Sequence, residues 1–383
     1  MIYFDQAASS FPKPPAVGEA MAYAVNEIGA NPGRGGHSLA RKAAELIQET
    51  RERAANIFGC DNPKHAIFFP NATAALNQAI KGLSWSEGDH IIATTFEHNS
   101  IRRPLEHLKE VFGVKVTYIG WNNSTDLFLK EVRKSITPTT KLIAMTHASN
   151  VTGTLIPTDE VAKIAIDHNI LTLVDASQTA GHIYINMKES GYDMLVFPGH
   201  KGIMGPQGTG MLLLNGDIEL QPILQGGTGN FSEIPNQPSQ LPERLESGTL
   251  NTPGIAGLNA ALKAYESSKR QNVPRETILI RKLVNGLKQI DGVVYYGDPE
   301  HINLPIAAFN ILDIASQEVA MILDSHYKIA VRAGLHCSPL THKAMDTTRQ
   351  GMVRASLGIY NTEKEVDEFL QAIEEITESY RLV

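Results

Sequence analysis

The sequence predicts an α/β protein: a large unit around a mostly parallel seven-stranded sheet, with a smaller α/β unit at the C-terminal side. Three observations carry that reading. Seven short apolar runs rich in β-branched residues lie between residues 66 and 214, and most lack polar alternation, as strands covered on both faces do. Helix-like segments separate many of these runs, which favours parallel strands joined by crossovers. Beyond about residue 253 the texture changes to long amphipathic helices with shorter strands between them.

In chain order, the strands are expected at 66–69, 90–95, 115–119, 142–146, 171–175, 194–197 and 210–214. The clearest helices among them span 41–58, 72–83 and 158–168. In the second part, helices are expected at 254–269, 276–290, 316–327 and 362–380, with strands near 293–296 and 305–311. This divides the chain into a large unit of residues 16–253 and a small unit of residues 1–15 plus 254–383. Residues 221–254 are dense in Pro and Gly. A loop of that length without its own structure is functional or a connector.

The net charge of −7 and the absence of a long Lys/Arg run argue against a nucleic-acid partner, which needs a basic stripe. The two cysteines, Cys60 and Cys337, lie far apart. That excludes a disulfide framework and a thiol-rich zinc site and fits a reducing compartment; no metal site is expected. The opening MIYFDQAASSFPKPP has no basic segment followed by an apolar core, and no apolar run reaches the roughly 18 residues a spanning helix needs. A cytoplasmic protein without membrane association is expected.

Two segments suggest chemistry. FPGHKGIMGPQGTG places Lys201 after a strand-like run and before a Gly-rich turn, and LTLVDASQTAGH ends an apolar strand on Asp175. Alone, Lys201 reads as a solvated surface charge and Asp175 as a helix cap. Together they match the needs of a lysine that captures an aldehyde cofactor, with a carboxylate to keep a pyridine nitrogen protonated. Strand ends are where α/β sheets gather such groups. The glycines of GPQGTG are in the wrong order for a dinucleotide fingerprint, and an apolar strand follows them, so that reading is rejected. IFFPNATAALNQAI reads strand, turn, helix, with Ala72 and Thr73 opening the helix. Its free N–H groups suit an anion such as a phosphate, although a plain capped helix explains the pattern equally well. His98 follows another strand in HIIATTFEHNS and is a weak candidate for stacking on a flat ring.

Taken together, DASQ, GHK, RAGLHCSP and RASLGIYNT, with FDQAASS near the N-terminus, resemble the class V aminotransferases, a branch of the fold-type-I enzymes that use pyridoxal 5'-phosphate (PLP). Within that branch the chain looks like a cysteine desulfurase, nearly end to end. The resemblance implies that Lys201 is the Schiff-base lysine, with His200 beside it near the phosphate. It implies that Asp175 pairs the pyridine nitrogen, Gln178 touches the ring oxygen, His98 stacks on the ring, and Ala72 and Thr73 hold the phosphate. Asn150 would lie near ring and substrate, Arg354 would bind the substrate carboxylate, and His37 would line the entrance. Thr249 would reach the phosphate of a neighbouring subunit, implying a homodimer.

RAGLHCSP resembles the short-segment group that includes SUF-type and selenocysteine lyase-like members. On that likeness Cys337 attacks the substrate sulfur, alanine leaves, and a persulfide remains for an acceptor protein, as in iron–sulfur cluster assembly. Read alone, Cys337 is a small buried hydrophobe, and Cys60 keeps that reading. Pro198 stands where the family commonly has Ser or Thr, which removes one phosphate contact. Three alternatives stay open: a selenocysteine lyase acting on L-selenocysteine rather than L-cysteine, another PLP enzyme such as an aminotransferase or epimerase in which Cys337 is incidental, and a non-enzymatic scaffold.

Overall fold

A computed structural model describes residues 1–32, 36–268, 273–298 and 300–381. The larger sheet contains β1 (Ala66–Phe69), β2 (His90–Thr94), β3 (Lys115–Ile119), β4 (Thr140–Thr146), β5 (Leu171–Asp175), β6 (Met194–Pro198) and β7 (Gly210–Leu214). Their spatial order is β1-β7-β6-β5-β4-β2-β3. Six strands point the same way, and β7 runs against its neighbours β1 and β6. Successive residues of a strand face opposite sides, and both sides are covered here. Ile92, Ile143, Val174, Leu195 and Leu213 enter one core, whereas Ile91, Leu142, Leu173, Val196 and Leu212 enter the other. This two-sided burial is the physical origin of the unbroken apolar runs.

A second sheet holds β8 (Val293–Tyr296), β9 (Ile306–Ile311), β10 (Arg332–Gly334) and β11 (Met352–Ser356), in the order β10-β11-β9-β8. All its pairings are antiparallel. Its core includes Phe309, Val353, Leu283 from the helix Val273–Gln289, and Phe369 from the helix Glu363–Arg381. Ile2 and Phe4 join that core, and the short strand Ile2–Tyr3 pairs in parallel with Ile329–Ala330.

The helix Thr252–Ser268, expected to open the smaller unit, instead gives Ile255, Leu258, Ala261 and Leu262 to the core of the large sheet. Lys269, the expected end of that helix, lies outside the described residues. The segment expected as one helix over 316–327 is α-helical to Ile322 and continues as a wider π turn over Leu323–Tyr327. Helices Pro15–Glu27, Asn99–Phe112 and Thr125–Ser135 complete the layers around the large sheet. Among the described residues no helix is long and apolar enough to cross a membrane.

The edge strand β1 is closed by an ion pair. Arg51, on the helix Ser38–Phe58, meets Glu246 through two parallel bonds of 2.9 Å each. Glu246 accepts the Phe68 N–H at 2.7 Å, Arg51 donates to the Ala66 carbonyl, and the guanidinium stacks over the Phe68 ring. The pair satisfies edge groups that would otherwise be free, and it ties the long loop after β7 to the sheet. Both partners are buried, so Glu246→Ala leaves an uncompensated guanidinium. Destabilisation of about 3–5 kcal/mol is expected, read as a lowered urea midpoint.

Candidate active site

The groups that matter follow the ends of parallel strands. Ala72 and Thr73 come just after β1, His98 after β2, Asn150 after β4, and Asp175 ends β5. Lys201 lies three residues beyond β6. Because these strands all point the same way, the groups emerge at one edge of the sheet, the place where open α/β sheets bind ligands. They border a cavity of about 170 Å³, joined there by Gln178, His200, Ser100, Ser177 and Pro198.

Two helix N-termini meet at this cavity. The helix Ala72–Lys81 is capped by the Asn71 side chain, which accepts the Ala74 N–H at 2.9 Å. At Gly210 of β7 a Cβ would come within 2.6 Å of the Asn71 carbonyl carbon, so only glycine allows the sheet so close to the turn. The helix Asn99–Phe112 is capped by His98, whose Nδ1 accepts the Ser100 N–H at 3.1 Å. That bond leaves the imidazole proton on Nε2. Ser100 Oγ lies 2.8 Å from His98 Nδ1 and 2.7 Å from Thr73 Oγ1, linking the two helix ends.

Electrostatics follow from burial. Desolvation lowers the Lys201 amine to about 8, against a partial opposing pull from Asp175; Arg354 and Arg332 push the same way as burial. Asp175 is pushed up by burial, while bonds from Ser177 and the charge of Lys201 hold it down. Ser177 donates both its N–H and its hydroxyl to Asp175 Oδ1, which fixes the carboxylate with Oδ2 left for a ligand. Burial, then Lys201 and the nearby arginines, lower His98 to about 4, so it is neutral at pH 7. Beneath them Glu97 is fully buried; burial first, and the Asp175 charge in addition, raise it to about 8. Its Oε1 accepts the Thr94 and Thr146 N–H groups and thereby joins the ends of β2 and β4.

Cys337 lies in the four-residue connection between β10 and the helix Pro339–Ala344. Its neighbour His336 and Cys337 itself both adopt positive φ, 48° and 59°, a costly pair for residues with a Cβ. The turn is held by Asn150, which borders the cavity, and by the start of the helix Asn99–Phe112. Asn150 Nδ2 donates to His336 O at 2.7 Å, Ser338 Oγ donates to Asn150 Oδ1 at 2.6 Å, and Asn99, beside His98, donates to Cys337 O at 2.7 Å. Cys337 is half-buried. Arg354, on β11, is 1% exposed and donates to Asn150 O at 2.7 Å and to Asp5 Oδ1 at 2.9 Å.

Asn150 therefore connects the Lys201 cavity, the Cys337 turn and Arg354. Cys337 and Arg354 do not line that cavity themselves and are joined to it through Asn150; His37 and Thr249 have no such link to it. His37 is exposed and caps the helix Ser38–Phe58 through its Nδ1, while most of the Gly-rich stretch before it is outside the described residues. Thr249 borders two other cavities and not this one. Several residues that the sequence did not single out also belong here. Asp5 pairs with Arg354, and Arg332 sits directly across the β10–β11 ladder from it. Ser10 and Lys13 grip the Lys201 loop: Ser10 Oγ donates to the Lys201 carbonyl at 3.0 Å and Lys13 Nζ to the His200 carbonyl at 2.7 Å. Asp5 and Ser10 lie in FDQAASS and Arg332 opens RAGLHCSP, so membership of those blocks was the available signal.

Comparison with known proteins identifies the family. The family model described as Aminotransferase class-V matches residues 2–369. A probable cysteine desulfurase of Methanothermobacter thermautotrophicus is 35% identical, with 98% of this chain and 94% of that protein covered. One from Pyrococcus abyssi is 33% identical over 100% of this chain and 95% of that protein. The apo structure of a cysteine desulfurase from Thermococcus onnurineus superposes with a TM-score of 0.91 at 34% identity, covering 99% of this chain and 95% of that one. The chain thus belongs to the class-V aminotransferase family, on the branch occupied by the cysteine desulfurases.

Proposed function

We propose that the protein is a PLP-dependent cysteine desulfurase that converts L-cysteine to L-alanine and keeps the sulfur as a persulfide on Cys337. The observation that carries this reading is Asn150, which lines the cavity of Lys201 and Asp175 and whose side chain and carbonyl bond to the Cys337 turn and to Arg354. The family is one of PLP enzymes, and the donor set suits that cofactor. Asp175 Oδ2 is the acceptor for a protonated ring nitrogen, and the helix end at Ala72 and Thr73 is an anion site. His200 Nδ1, which is buried without a protein partner, is a spare group on the phosphate side. Pro198 lines the cavity without a hydroxyl or N–H. When bound, PLP supplies an electron sink that loosens the bonds at the Cα of an amino acid.

The residues then divide the work. Lys201 Nζ would hold the cofactor through its aldehyde, and as a free amine it is the group suited to moving protons at the substrate carbons. Asp175 keeps its proton partner in place because Ser177 fixes it. Neutral His98 offers a flat face and an Nε2 proton. Arg354 orients the substrate by its carboxylate. The Cys337 thiolate attacks the substrate sulfur. A sulfur–sulfur bond forms, and the Cβ–S bond breaks with its electron pair going to carbon. That carbon takes a proton and becomes the methyl group of alanine. The persulfide passes to an acceptor protein, with iron–sulfur cluster assembly as the expected use. A homodimer is part of this reading, with Thr249, outside its own cavity, reaching the partner's phosphate.

Lys201→Ala is expected to abolish borohydride fixation of PLP and to lower alanine formation by on the order of a thousandfold or more. In the PLP-free protein the neutral amine is the reactive form. With Lys201 lowered to about 8, PLP uptake should quicken as pH rises towards about 8 and level off there, well short of the 10.5 of an ordinary lysine; borohydride trapping at each pH reads the rate. Cys337→Ala should retain the PLP absorbance yet form neither alanine nor persulfide from L-cysteine, with the persulfide followed as the mass of one added sulfur. Unchanged alanine formation by that variant would overturn the proposal.

A further inference from the structure

Arg354 is 1% exposed, and a guanidinium so deep needs a counter-charge. Its Nη1 donates to Asn150 O at 2.7 Å, its Nη2 to Asp5 Oδ1 at 2.9 Å, and its buried Nε has no partner. A guanidinium grips a carboxylate through two parallel bonds on one edge, and Nη2 belongs to both of the edges that include two free-facing nitrogens, Nη1/Nη2 and Nε/Nη2. Asp5 therefore sits on a nitrogen that an incoming carboxylate would use. The Asp5 side chain is 23% accessible against 1% for Arg354, so the anion is the partner open to exchange. Its backbone is fixed separately, by a bridge to Ser356 and by the Ala8 N–H donating to Asp5 O at 3.1 Å. The carboxylate can turn away without unseating the chain. Its charge also reaches Lys201.

We propose that Asp5 is a resident stand-in for the α-carboxylate of the substrate: it neutralises Arg354 in the empty site and is displaced from Nη2 when an amino acid binds. The proposal rests on reading Arg354 as the carboxylate anchor. It makes Asp5 a positioning and specificity residue. A ligand with a carboxylate replaces Asp5 and restores the neutral pair. An amine or thiol without one leaves Asp5 in place and gains nothing from Arg354.

Asp5→Asn keeps an oxygen that can accept from Nη2 and removes the competing charge. Calorimetric titration of the PLP-loaded protein with 3-mercaptopropionate, a thiol acid lacking the amine, should show binding about tenfold tighter than to wild type. Cysteamine, which lacks the carboxylate, should bind both proteins equally. KM for L-cysteine should fall more than kcat changes. Thermal melting checks that the variant is folded, and Asp5→Ser, scored in the same way, takes its place if it is not. Unchanged or weaker binding of 3-mercaptopropionate, an equal shift for both probes, or failure of the acid to bind either protein would refute the proposal. The binding measurement needs no turnover. Absence of alanine from L-cysteine in the wild type would remove the desulfurase reading instead.

Discussion

Two cations are taken out of water in one place, and the architecture is organised around making that tolerable. Lys201 faces Asp175, whose Oδ1 is held by Ser177, and Arg354 is paired with Asp5 and bonded to the Asn150 carbonyl. Burial favours the neutral form of the lysine, and the neighbouring arginines add to it. The same burial cannot neutralise an arginine, which stays charged and must be matched. A readily deprotonated amine and a permanently charged anchor therefore come from one environment acting on two side chains.

Rigid supports keep these groups in register. Asp175 stands on a central strand flanked on both sides by parallel neighbours. Lys201 is on a turn whose carbonyls are held by Ser10 and Lys13. Arg354 is on a strand hydrogen-bonded on both sides. The Cys337 turn departs from low-energy backbone at two successive residues of positive φ. Strain of this kind persists where the surroundings over-determine it, and here the bonds from Asn150, Asn99 and Ser338 do so.

The large sheet was legible because two-sided burial leaves the same signature in most of its strands: an unbroken apolar run such as Gly210–Leu214. The groups just beyond those strands were legible for the same reason. The helix Asn99–Phe112 was hidden by Pro104 within it, and Pro15–Glu27 by a weak apolar face that buries only Val17 and Ala24. β10 has three residues, too few for any periodicity. The partnership of Asp5 with Arg354 joins positions 349 apart, and no local pattern encodes such a contact. The change of core was placed too early because the amphipathic helix Thr252–Ser268 has the texture of the later helices but packs on the earlier sheet. His37 and Thr249 came from resemblance alone, and the fold of a single chain does not carry them to the cavity.

The first ten residues behave as a strap between the two sheets. Ile2–Tyr3 pair with Ile329–Ala330, Asp5 holds Arg354, the Ala7 N–H donates to Ser356 Oγ, and Ser10 holds the Lys201 loop. During synthesis this strap leaves the ribosome long before residues 329–356 exist to receive it. The sulfur-handling pocket is thus among the last parts of the molecule to close. A chain stalled before those residues carries every residue that lines the Lys201 cavity but neither Cys337 nor Arg354.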